Sequence, residues 1–296
     1  MPPALGATLR ILQPAPHVLA FYDGRVPGVR LHSPKPNWLD DGAYEAGIAS
    51  YAVFDGAEAL IYDTHISLTH ARIIRETLAA RGVTRFTVVL SHWHDDHVAG
   101  NDVFADCEII ANRLTADILA EKREALEAAD PPICPLILPN RTFEGEMTLT
   151  VGTLPVRLIQ ADIHSRDGTV LLLPGGLLLA GDTLEDPVTY VDEPDRLAVH
   201  LVDLERMAGW DISRILPNHG AEEVIAAGGY GPGLIAATQA YVRKLLTVRE
   251  DAQARGEDLR TFAAEGFASG TLRYFAPYEA VHRMNVEAVL KAGRPS

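Results

Sequence analysis

Three imidazoles and two carboxylates crowd the six residues His92-Trp93-His94-Asp95-Asp96-His97, directly after the apolar run Thr87-Val88-Val89-Leu90. Imidazole nitrogen and carboxylate oxygen are the usual donors to zinc and its first-row neighbours, and the end of a buried strand delivers such side chains to one point above a sheet. Protonated, rings this close would repel one another. Neutral, they would compete for partners, so a purely structural role has little to offer. Metal binding is the chemistry to which the spacing points.

The pattern His92-x-His94-x-Asp96-His97 resembles the HxHxDH signature of the metallo-β-lactamase superfamily of hydrolases, in which the signature ends a strand and is completed by a His, an Asp and a His from three later loops. Matching residues follow in that order. His164 stands in Ala161-Asp162-Ile163-His164-Ser165-Arg166-Asp167-Gly168, Asp182 in Leu179-Ala180-Gly181-Asp182-Thr183, and His219 in Leu216-Pro217-Asn218-His219-Gly220. The resemblance implies that His92, His94 and His164 hold one metal ion, that Asp96, His97 and His219 hold a second, and that Asp182 bridges them. The implied cofactor is a pair of Zn2+ ions, with Fe or Mn as substitutes. Asp95 is left over and reads as a loop or helix-cap residue. Asp63, after the run Leu60-Ile61-Tyr62, matches the family's carboxylate that supports a ligand His.

Each metal of such a pair lowers the pKa of bound water toward about 7, so a bridging hydroxide exists at neutral pH and can attack a carbonyl or phosphoryl centre. Asp182 would orient it, with proton return through Asp182 or Asp96. Tyr190, in the polar loop after Asp182, is placed to donate a hydrogen bond to a developing oxyanion. The expectation is a dinuclear zinc hydrolase acting on a small carboxyl-derived substrate: a lactone, ester, thioester or β-lactam. Gly181-Asp182-Thr183-Leu184 is similar to glyoxalase II-type thioesterases, but the tail has no match to their glutathione-binding residues. Quorum-type lactonases often carry Tyr where this chain has Glu185. The alternatives are a mono-iron sulfur dioxygenase-type oxidoreductase and a phosphodiesterase. A flavodiiron protein is disfavoured because His94 stands where that branch has Glu, and a non-catalytic module because no ligand position is lost.

The chain has 296 residues, 47% hydrophobic and 22% charged, enough for a sizeable core. A formal net charge of −14 opposes binding to a polyanion, so the expected partner is a small molecule and not nucleic acid. Cys107 and Cys134 show no CxxC spacing, which fits a reducing cytoplasm. The start carries no basic cluster before an apolar stretch, so neither a signal peptide nor a membrane span is expected.

The elements that must position the cluster read as strands at 17–22, 49–54, 57–62, 86–90, 107–111, 147–151 and 154–159, with further strands leading to Asp182 and His219. Helices are expected over 71–81, 114–127 and 203–210. The resemblance implies an α/β fold, an αββα sandwich of two mixed β-sheets flanked by helices, over residues 1–220. Residues 221–296 read as a helical C-terminal extension, with helices at 234–254, 258–267 and 277–292, able to cover the sheet, shape the cleft or build a homodimer interface. His65 and His70 read as cleft-edge or surface residues, His200 as a helix-edge residue, and His32 and Trp38 as packed loop residues. The Pro-rich segment 130–139 reads equally as a lid or as a packed connection.

Overall fold

The computed structural model describes residues 3–292. Seven strands form a first sheet in the order β1 (Arg10–Ala15), β2 (Val18–Asp23), β3 (Ile48–Asp55), β4 (Glu58–Tyr62), β5 (Arg85–Val89), β6 (Glu108–Asn112) and β7 (Arg141–Phe143). The first four pair antiparallel, and β4 to β7 pair parallel. The second sheet has five strands: β8 (Glu146–Val151), β9 (Leu154–Gln160), β10 (Thr169–Leu173), β11 (Leu177–Gly181) and β12 (Arg214–Pro217). Only β11 and β12 pair parallel there. Both sheets are mixed, with helices on their outer faces, as expected.

Period-two alternation sorts the side chains into three layers. In β2, Ala20 and Tyr22 face the other sheet and, with Tyr51 and Tyr62 of their own sheet, share a core with Leu171, Leu179 and Leu216 of the second, while Leu19 and Phe21 turn outward onto helix residues Ala71, Ile74 and Leu78. On the far side, Val170, Leu178 and Ile215 pack against Leu204 and Met207 and against Leu234, Tyr241 and Val286 of the C-terminal helices. The tail thus shares a core with the second sheet. Fully burying one such side chain contributes about 1.5–3 kcal/mol.

Three inter-sheet tyrosines combine that burial with a polar tip. Tyr22 donates to the Gly220 carbonyl at 2.9 Å, Tyr51 to that of Pro217 and Tyr62 to that of Thr169. The first two bonds bracket Asn218-His219, and so fix where β12 releases its histidine.

Several expectations change. The edge strands β1 and β7 were not anticipated, being short and without clean alternation. The first long helix runs Leu68–Ala79, starting early because Ser67 caps it by accepting from the His70 amide. The helix expected at 203–210 runs Leu197–Ala208, so His200 lies inside it and is buried. The helix expected at 234–254 divides into Gly233–Thr247 and Ala252–Gly256, where Asp251 caps the second piece, and 258–267 divides into Leu259–Phe262 and Ala264–Ala268. The last helix spans Tyr278–Ala292. His65 and His70 are buried rather than at the surface. Their rings stack 4.5 Å apart, and His70 Nε2 lies 2.8 Å from Asp23 Oδ2. Among the described residues no helix is long and apolar enough to cross a membrane.

Candidate metal centre

Parallel neighbours end on the same edge of a sheet, and one parallel pair from each sheet, β4–β5 and β11–β12, brings its C-terminal ends to one place. The chain leaves β5 through Leu90-Ser91 into His92, His94 and the short helix Asp95–Val98 that carries Asp96 and His97. Asp182 follows β11, His219 follows β12, and His164 lies between β9 and β10. All seven positions singled out in the sequence come together. His92, His94, His164 and Asp182 offer donor atoms within 4.8 Å of one another, and so do Asp96, His97 and His219.

Within the first group, His92 Nε2 lies 2.8 Å from His94 Nδ1, and His164 Nε2 lies 3.2 Å and 3.1 Å from those two atoms. Within the second, Asp96 Oδ1 is 3.3 Å from His97 Nε2 and Asp96 Oδ2 is 3.2 Å from His219 Nε2. Asp182 Oδ2 stands between the groups, 3.6 Å from His92 Nε2, 3.1 Å from His97 Nε2 and 3.4 Å from His219 Nε2.

The outward ring nitrogens decide what the inward ones can be. His164 Nδ1 faces the Tyr190 carbonyl at 2.9 Å, His219 Nδ1 the Gly47 carbonyl at 2.8 Å, and His97 Nδ1 the Asp63 carboxylate at 2.9 Å. These oxygens can only accept. A neutral imidazole has one N–H, so the proton sits outside and the Nε2 lone pairs point inward. His92 Nδ1 is likewise engaged by Ser91 Oγ at 2.9 Å. Lone pairs that meet at about 3 Å without a proton repel unless a cation lies among them, and Asp182 Oδ1 is buried without a hydrogen-bond partner. The donor set fits a pair of divalent metal ions.

The electrostatics favour positive charge at the same place. Burial works against ionised Asp182, yet His97 and His219 hold its carboxyl well below the usual range. Burial also opposes charge on His97 and His219, but Asp182 and Asp96 lift both well above an ordinary histidine, so without a metal ion each ring would hold a second proton at the inward position that a cation would otherwise take. His92 is driven well below it by burial and by its neighbours His97 and His94.

Backbone strain accompanies this geometry. Asp63 (φ 64°) and His164 (φ 70°) both occupy the left-handed region, which costs a residue other than glycine about 1–3 kcal/mol. Asp63 is held there by three bonds, accepting from the Ser91 amide at 2.6 Å, from His97 and from Asn218 Nδ2 at 2.6 Å. It stands behind His97, in the position expected of a supporting carboxylate.

A cavity of about 270 Å³ opens over the cluster, with His94, His164, Asp182 and His219 in its floor. Trp38 and Tyr190 form part of its wall, and Tyr278, Val281 and Met284 of the last helix form another part. The expected oxyanion donor Tyr190 is half-buried, lines the cavity, and has its ring 6.0 Å from that of His164. Asp95 begins its helix and also lines the cavity, where burial and then Asp96 push its carboxyl up to about 6.

Glu185 was not anticipated as part of the site. Burial and then Asp182 push its carboxyl up to about 7, and it accepts from the Tyr190 amide at 2.8 Å and the Tyr278 hydroxyl at 2.9 Å. Its place three residues after Asp182 was the available signal. Trp38 is more than a packed loop residue, since it lines the cavity while its Nε1 donates to the Pro131 carbonyl at 2.8 Å. The Pro-rich segment therefore backs the wall without lining the cavity. His32 pairs with Asp130 at 2.7 Å and lies outside the lining.

Residues 44–228 match the family model described as the metallo-beta-lactamase superfamily. The chain is 26% identical over 180 residues to the Beta-lactamase-like protein 2 homolog of Drosophila melanogaster, covering 59% of each protein. Over 55 residues it is 42% identical to the Atrochrysone carboxyl ACP thioesterase of Passalora fulva, covering 18% of this chain and 16% of that one. The chain thus spans about three-fifths or less of the length of these curated relatives. Among solved structures, DIM-1 metallo-beta-lactamase exposed to ceftazidime superposes with a TM-score of 0.58 at 21% identity, covering 79% of this chain and 96% of that one. VMB-1 at pH 5.5 superposes with a TM-score of 0.60 at 17% identity, with the same coverage. These likenesses concern the fold.

Proposed function

The chain belongs to the metallo-beta-lactamase superfamily, and on that premise we propose that it is a hydrolase using two zinc ions on a small carboxyl-derived substrate such as a lactone, ester, thioester or β-lactam. His92, His94 and His164 would hold one ion, Asp96, His97 and His219 the other, with Asp182 shared. The observation that carries the reading is the inward convergence of imidazole lone pairs whose outward N–H groups are bonded to Tyr190, Gly47 and Asp63. When bound, the metal pair supplies Lewis acidity toward the substrate carbonyl and lowers the pKa of water.

The chain's own residues do the rest. Outward bonds hold the His92, His97, His164 and His219 rings in orientation, so little rearrangement is needed as charge develops. Asp182 Oδ1, buried and free of other partners, is the acceptor that can take a proton from the attacking water. The cavity wall holds the substrate against the cluster and excludes bulk water. The name of the Passalora thioesterase supports including thioesters among the substrates tested, and the net charge of −14, which opposes a polyanion, leaves phosphodiesters as the second alternative.

The test is metal content per chain for wild type and Asp182→Ala, beside hydrolysis of a chromogenic lactone, thioester and β-lactam. About two zinc ions per chain with turnover of one substrate, both reduced in the variant, is the expected result. One iron per chain without hydrolysis would move the assignment to an iron oxidoreductase, and cleavage of a phosphodiester alone would change the substrate class.

A further inference from the structure

The cavity wall has a charge pattern independent of the cluster in its floor. Among the described residues, none that lines the cavity is Lys or Arg. Asp41, Glu45 and Asp95 stand around it, and Trp38, Val281 and Met284 provide its apolar surface. The cation near Asp41 is Arg30, already engaged by both carboxylate oxygens of Asp41. Lys122 lies 4.2 Å over the Trp93 ring, outside the lining. Away from the Tyr190 hydroxyl and the imidazoles of the floor, a carboxylate on the part of a substrate remote from its reacting bond would lose water and meet like charge and apolar surface.

Two wall elements are held firmly enough to discriminate. The Trp38 ring is fixed by its bond to Pro131. The last helix is fixed by Asn285, which accepts from the Val191 amide at 2.9 Å and donates to the Thr189 carbonyl at 2.9 Å. Val281 and Met284 lie three residues apart on one side of that helix, and Met284 is 49% exposed at the rim. An apolar cavity of about 150 Å³ accepts benzene, so this space takes a group about twice that size.

From this wall we infer that the substrate's remote part is apolar and uncharged, and that Met284 and Glu45 determine the rejection of anionic substrates. The inference rests on the hydrolase reading for the reacting bond, while the selectivity of the wall can be read without turnover.

The experiment uses the full metal-loaded chain with two matched esters, 4-nitrophenyl hexanoate and the mono-4-nitrophenyl ester of adipic acid, which differs by a terminal carboxylate. The neutral ester is expected to have at least a tenfold higher kcat/KM, equivalent to about 1.4 kcal/mol. Met284→Lys and Glu45→Lys are each expected to shrink that ratio about fivefold, mainly through KM for the anionic ester. In parallel, the Met284 methyl resonance of 13C-methyl-methionine protein, assigned by its loss in Met284→Leu, is followed during titration with hexanamide and with adipic acid monoamide. Hexanamide is expected to shift it at concentrations where the monoamide does not.

If neither ester is cleaved but only hexanamide shifts Met284, the hydrolase reading fails and this inference stands. Equal or better turnover of the anionic ester, ratios unmoved in both variants, or a Met284 signal that neither amide or both amides shift would overturn it.

Discussion

The Tyr278 hydroxyl, on the last helix, donates to Glu185 Oε2 at 2.9 Å, joining the C-terminal extension to the loop that begins at Asp182. Both groups are buried, and Glu185 also accepts from the Tyr190 amide, whose own carbonyl orients His164. A contact 93 residues apart in sequence thus reaches the metal cluster in two steps. In Tyr278→Phe the buried carboxylate loses a donor, which costs about 1–3 kcal/mol. Urea denaturation is expected to register that loss, and KM to rise several-fold with kcat nearly unchanged. A variant as stable as wild type with unaltered KM would show that the bond does not position the loop.

Asp63→Asn asks what the supporting carboxylate does. Asn tolerates the left-handed backbone at this position, so the substitution tests charge and acceptor number rather than strain. An amide offers one acceptor oxygen where Asp63 serves Ser91, His97 and Asn218. Metal affinity is expected to fall 10–100-fold, measured by competition with a chelating dye. Retention of wild-type metal affinity would remove Asp63 from the support of His97.

His200 provides an acid-sensitive stability term outside the cluster. Burial is the first cause of its lowered pKa, to about 4, partly offset by Asp162, whose Oδ1 lies 3.6 Å away. Because the folded value lies below the ordinary 6.5, the unfolded chain takes up the proton first. Stability is therefore present above pH 6.5 and falls as the pH drops from there toward 4. Between pH 7.5 and 5.0 wild type is expected to lose about 2 kcal/mol more than His200→Leu. Urea titrations of both proteins at the two pH values measure the difference, and parallel losses would refute it.

Gly100→Ala probes how closely the ligand helix must seat. A Cβ at that position would lie 2.1 Å from the Thr64 carbonyl oxygen and 2.5 Å from the Ala71 Cβ. The segment carrying Asp96 and His97 is docked at the same place through bonds from the Thr64 amide and hydroxyl to the His97 carbonyl. Overpacking of this kind costs about 1–3 kcal/mol. Thermal unfolding is expected to shift down and metal affinity to fall together, whereas a loss of stability with full metal affinity would show that the helix seats independently.

The seven cluster residues were legible because they match the family signature in order, and because the 92–97 segment, Asp182 and His219 follow apolar runs while His164 stands shortly before one. Asp63 was legible for the same reason. Tyr278, Val281 and Met284 were not, because their role depends on where the tail docks, and helical periodicity does not say which surface a helix meets. His65 and His70 were misplaced because a histidine after a strand is polar in pattern, while stacking and the Asp23 carboxylate make burial tolerable. The edge strands β1 and β7 were missed because short, half-exposed strands carry too little alternation. Glu185 lay in a polar loop, and although its place three residues after Asp182 marked the position, nothing in the local pattern says that this carboxylate is the one buried beside His164.

The two parallel strand pairs separate what this protein must keep from what it can exchange. The residues that converge on Asp182 leave strand ends or sit against them, whereas the wall comes from 38–45, 183–193 and the last helix. Loops and a terminal helix can be replaced without re-registering a sheet. A graft of the last helix together with residues 183–193 from a relative, with Glu185, Tyr190 and Tyr278 kept because they orient His164, would therefore carry substrate preference with it while the reactive centre stayed as it was. In this architecture the frame and the tooling are separately heritable.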